Sequence, residues 1–64
     1  MNTLNVVQLE LLAELKAYGN VVGKLLAKVE LDGDVDKRWL AIARTRIQEG
    51  FMAARRSIEQ PKDF

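Results

Sequence analysis

Neither cysteine nor histidine occurs among the 64 residues, and side-chain hydroxyls are confined to Thr3, Tyr18, Thr45 and Ser57. Without cysteine there are no disulfides, and without either residue a structural zinc site loses its preferred ligands. The same absences remove the usual nucleophile–base pairs, so catalysis is not expected. Glu10 and Glu14 stand one helical turn apart. They could hold a metal only if a partner helix added further acids, and a solvated face accounts for them more simply. No strand-linked glycine-rich loop is present to cradle phosphates, and no cofactor is called for. No apolar run approaches the roughly 18 residues of a membrane span, and no basic segment leads into an apolar block at the N-terminus. A membrane association is therefore not expected. The lack of cysteine fits a cytosolic protein.

Length is scarce too. A chain of this size makes one small domain and buries only about 60% of the surface exposed when unfolded. Yet 48% of the residues are hydrophobic, more than a lone helical unit can hide. With disulfides and zinc excluded, self-association is the remaining means of stabilisation.

The hydrophobic spacing is helical throughout. In the first half Val7, Leu11, Leu15, Tyr18, Val22, Leu25 and Val29 recur at steps of three and four, and Leu4, Leu9, Leu12, Val21 and Leu26 widen that stripe. A helix apolar over so much of its circumference touches more than one neighbour. Asn5 and Gln8 have the spacing of a capping box. The run Leu31-Asp32-Gly33-Asp34 breaks the pattern as a turn, and Asp34 or Asp36 can cap the second helix. That helix carries Leu40, Ala43, Ile47, Gly50/Phe51, Ala54 and Ile58 on one seam, with Trp39 and Ile42 beside it, and Pro61 ends it. The expected fold is all-α: a first helix over about 4–30, a turn over 31–35, a second helix over about 36–59 and a short tail. The two helices form an antiparallel hairpin that assembles into a homo-oligomeric helical bundle. Gly19, Gly23 and Gly50 fall inside helices, each at a cost of roughly 1 kcal/mol against alanine. Close helix crossing is the first reading of them, and room for a ligand beside the backbone is the second.

Charge is nearly balanced at a net +1, but all five arginines (Arg38, Arg44, Arg46, Arg55 and Arg56) lie in the second helix, where Glu49 is the only acid before Glu59. At about 100° per residue, Arg44 and Arg55 nearly share an azimuth, Arg38 and Arg56 share another, and Arg55 and Arg56 diverge. Arginine's planar fork binds phosphate bidentately, and a closed oligomer would bring several forks together. Against that stands the plainer reading of solvated arginines, some paired with Glu49 or Glu59. Tyr18 reads first as core packing and second as a ligand-stacking ring. Asn20 and Lys24 share a face beside the glycines and could reach a base edge or a phosphate at a subunit boundary. Trp39 reads first as an anchor for the hairpin or for a neighbouring subunit, and second as an exposed aromatic able to stack a base.

The string Trp39-Leu40-Ala41-Ile42-Ala43-Arg44-Thr45, with Ile47-Gln48, Gly50-Phe51-Met52-Ala53, Arg56 and Pro61, resembles the α-hairpin domain of small phage proteins. These are the signal sponges that counter the bacterial CBASS and Thoeris defences. The resemblance implies a homo-oligomer, commonly a hexamer, working in the cytoplasm of the infected host. It implies no chemistry. A cyclic di- or trinucleotide, or a cyclic ADP-ribose-type messenger, would be sequestered in pockets between subunits. One class of family pocket uses a basic residue late in the second helix, a position held here by Arg56 and followed by Ser57. Another uses an aromatic residue and a lysine, for which Tyr18 and Lys24 are the matches. The chain is shorter than some sponges, which favours the pocket containing Arg56 over the cyclic dinucleotide type. The resulting candidate ligand residues are Arg56, Arg55, Ser57 and Arg44, followed by Asn20, Lys24 and Tyr18. Two other readings stand beside this one: a helical oligomer that binds nucleic-acid backbone, and a purely structural assembly module.

Overall fold

The computed structural model describes residues 3–60 as two helices, α1 (Val6–Glu30) and α2 (Lys37–Glu59), and no strands among them. They form an all-α hairpin. The first helix begins two residues later than its apolar pattern allows, because Asn5 is taken up as its cap. Asn5 Oδ1 accepts from the Gln8 amide at 2.8 Å, and the Asn5 amide donates to Gln8 Oε1 at 3.0 Å. This reciprocal pair satisfies two amides that would otherwise lack partners. In the connection, Asp32 Oδ1 accepts from the Asp34 amide at 2.9 Å, and the Val35 amide reaches back to the Asp32 carbonyl. Of the two aspartates that could cap α2, Asp36 does so, accepting from the amides of Arg38 at 2.9 Å and Trp39 at 3.3 Å. Lys37 Nζ donates to the Glu30 carbonyl and ties the start of α2 to the end of α1. At the far end Gln60 takes a left-handed conformation (φ 46°, ψ 58°), and its amide closes on the Arg56 carbonyl. The stop expected from Pro61 lies outside the described residues.

Within the hairpin, Leu4 just ahead of α1 and Gln8, Leu12, Leu15, Gly19, Val22, Leu26 and Val29 along it turn toward α2. The facing row on α2 is Leu40, Ala43, Ile47, Phe51, Ala54 and Ile58. The second row is the one its periodicity predicts. The first is so only in part: Leu15, Val22 and Val29 face α2, while Val7, Leu11, Tyr18 and Leu25 of the same stripe stand exposed. Tyr18 is 64% exposed and so does not pack within the hairpin. Trp39 is equally open and does not anchor the hairpin.

The molecule is 47 × 22 × 9 Å, a single layer one helix thick. A single layer has no interior, and among the described residues only Leu40 is buried. The chain exposes 5588 Å², against about 4,100 Å² expected of a folded monomer of its mass. The surplus, about 1,500 Å², is larger than one partner's share of a standard protein interface, about 800 Å².

Asn5→Ala and Asp36→Ala should each lower stability by about 1 kcal/mol. Thermal and urea denaturation at one fixed chain concentration would measure it, with Thr45→Ala, in the interior of α2, as the comparison.

Candidate ligand-binding site

The two sides of the hairpin differ in chemistry. On one side a groove of about 500 Å³ runs between the helices, floored by Gly19, Gly23, Leu26, Ile47 and Phe51 and edged by Arg44, Gln48, Met52 and Arg55. It continues into a depression of about 490 Å³ that shares Gly19, Phe51 and Arg55 and adds Leu12, Ala13, Leu15, Lys16 and Asn20. Arg55 thus stands over the middle of one trough, with Arg44 about 16 Å away along the same face of α2. The spacing of eleven residues is what puts both guanidinium groups on this side.

The glycines explain why the trough is open. A Cβ on Gly23 would meet nothing within 4 Å, and one on Gly50 likewise. A Cβ on Gly19 would meet the Phe51 ring at 3.8–3.9 Å, an ordinary contact. Within the hairpin, no neighbouring helix closes on Gly23 or Gly50. Gly19 and Gly23 leave space beside the backbone, in the floor of the arginine trough.

The two arginines are loosely held. Arg44 Nη2 lies 3.7 Å from Glu30 Oε1, and Arg55 Nη2 lies 3.9 Å from Glu59 Oε2. Both distances exceed that of a hydrogen-bonded ion pair, and surface pairs of this kind contribute about 0–1 kcal/mol. The Arg55 partner is the expected Glu59, while Arg44 pairs with Glu30 of α1. Glu49 has no ion pair among the described residues. Arg44 Nη2 is itself covered and makes no hydrogen bond. The Arg44 side chain as a whole is 42% exposed.

The other candidates are dispersed. Asn20 joins Arg55 in the trough. Tyr18 and Ser57 line a different, mainly apolar depression on the opposite side, with Leu11, Glu14, Leu15, Ala54 and Ile58. The Ser57 hydroxyl proton is already engaged, donating to the Ala54 carbonyl at 2.6 Å. Lys24 and Arg56 are exposed and edge neither side's depressions. Arg56 lies on the outer face of α2, about 100° around from Arg55. It also stands in the last turn, where a cation favours the helix dipole. Lys16, Gln48 and Met52 were missed by sequence reasoning. Their signal was the shared azimuth: Lys16 with Asn20 on one helix, Gln48 and Met52 with Arg44 and Arg55 on the other. Among the described residues no three acids gather as a metal site, and no helix is long and apolar enough to cross a membrane.

A family model for the Acb2/Tad1 hairpin domain matches residues 2–59. The chain belongs to this family. These are the anti-CBASS and anti-Thoeris sponges, and the Acb2/Tad1 match spans both helices and every candidate residue named above. No curated protein and no solved structure matches the chain. The two-helix architecture agrees with the hairpin that the Acb2/Tad1 description names.

Gly23→Ala should stabilise the protein by about 0.5–1 kcal/mol, since the helix gains a better former and the new methyl meets only open space. A fall in melting temperature at constant chain concentration would instead show that another chain's backbone packs on Gly23.

Proposed function

We propose that the protein is a sponge: it oligomerises and sequesters a cyclic oligonucleotide or cyclic ADP-ribose-type messenger at sites completed between subunits, without chemically altering it. The observation that carries this reading is the trough itself. Two arginines held only by long ion pairs edge a glycine-floored groove, on a chain that belongs to a sponge family.

A messenger with two or three phosphates needs several cations converging from different directions. One hairpin presents Arg44 and Arg55 on one side and Arg56 on its outer face. Rotational symmetry multiplies these groups and lets Arg56 of one chain approach a ligand held by its neighbour. Asn20 and Gln48 supply the hydrogen-bonding edges that distinguish bases, and Lys16 adds charge. A sponge must outcompete the receptor it deprives, which sets nanomolar affinity, about −12 kcal/mol, as the relevant scale. Rigid helices lose little freedom on binding, so most of the guanidinium–phosphate interaction is retained as affinity.

The test is a panel of cyclic di- and trinucleotides and cyclic ADP-ribose isomers, read by thermal shift and calorimetry. Recovery of unchanged ligand after heating separates sequestration from turnover. At least one messenger should bind, with Arg44→Ala and Arg55→Ala each weakening it by about 10- to 150-fold, the loss of one charge-assisted contact. Loss of binding in Arg56→Ala alone would move the ligand to the outer face of α2. Steeply salt-dependent binding to long nucleic acid, with no messenger bound, would favour the polymer-binding alternative.

A further inference from the structure

The side of the hairpin opposite the arginine trough carries an apolar stripe that none of the described residues covers. Val7, Leu11, Tyr18, Val21 and Leu25 of α1 are each 43–64% exposed. At about 100° per residue they fall within one narrow sector, about a quarter-turn from the row that packs on α2. Glu14 lies in the same sector and lines the depression there with Leu11 and Tyr18.

The spacing of these residues, steps of four and three, is symmetric about its midpoint. Val7 and Leu25, Leu11 and Val21, and Glu14 and Tyr18 are each placed symmetrically about position 16. We infer that this face is an isologous interface in which α1 of one copy packs antiparallel on α1 of a second, with the two-fold axis at the level of residue 16. A two-fold contact requires that residue i meet residue j and j meet i, and the stripe satisfies this along its whole length. Leu25 then lies on the partner's Val7 and Leu11 on the partner's Val21. The Glu14 carboxylate accepts from the phenol of the partner's Tyr18, so the one charge in the stripe gains a donor.

Charge selects the antiparallel arrangement. The acids Glu10 and Glu14 occupy the first half of α1, and Lys24 and Lys28 the second. Antiparallel packing brings Glu10 within about 3 Å, along the axis, of the level of the partner's Lys24. A parallel pair would set acid against acid and lysine against lysine. The contact removes Tyr18 from the ligand-binding set and leaves the arginine trough open on the other side. The surface that the hairpin exposes beyond that of a monomer of its mass is more than enough for one such interface. The inference stands on the exposed stripe and does not depend on any messenger being bound.

Because the chain has no cysteine, engineered thiols report the register directly. The two positions of Leu11→Cys/Val21→Cys are about 15 Å apart along one helix, too far for a bridge within a chain. Under mild oxidation of the folded protein this variant should form a disulfide-linked dimer. Val7→Cys alone, whose symmetry mates would stand about 27 Å apart, should not. Cross-linking through Val7→Cys, or failure of the paired variant to cross-link, would overturn the register. A folded monomer by light scattering at micromolar concentration would overturn the interface altogether. The cross-linking outcomes do not bear on messenger binding, whereas a monomer would also remove the sites proposed between subunits.

Discussion

Two helices lying side by side form a layer with two faces and no middle, and the other properties of this protein depend on that geometry. In a thicker domain a second layer covers the apolar side of the first. Here the seam between α1 and α2 covers one row of each helix, and that row is only half-buried apart from Leu40. Hydrophobic stabilisation scales with area removed from water, so much of what these side chains could contribute stays unrealised in a single hairpin. The short connection and its caps fix the shape of the layer.

A layer without an interior can devote each side to a different task. The arginine side is wide and glycine-floored, and its cations are paired only at long range. The opposite side is apolar, with Glu14 its main interruption. The division arises from the helical repeat: residues eleven apart return to nearly the same azimuth, which aligns Arg44 with Arg55 and keeps Arg56 a quarter-turn away. In the proposed sponge this asymmetry is useful. Contacts that hold copies together need not compete for space with contacts that hold an anion.

Much of the fold was legible from local chemistry. The Asn5–Gln8 capping box, the aspartate–glycine turn and the Asp36 cap are all set by residues within three positions of one another. The α2 seam was legible because that helix has one apolar row, against arginines elsewhere. The α1 seam was not, because apolar residues cover so much of its circumference that periodicity cannot say which row meets α2. Tyr18 and Leu15 fit the same stripe by spacing, and only one of them packs. The candidate site divides in the same way. Arg44 and Arg55 could be paired from spacing alone, whereas Asn20 and Lys16 joined them only once α1 lay alongside.

The sequence by itself determined the two helices, the cap of the first, the turn and the family. Each rests on local hydrogen bonding, on composition or on a characteristic string of residues. The tertiary structure decided which face of α1 is spent inside the hairpin and which is left exposed. It also decided that Gly19 and Gly23 open a trough, and that Arg44 meets Glu30. Those outcomes depend on the rotation of one helix against the other. Packing across the seam sets that angle, and no single helix encodes it.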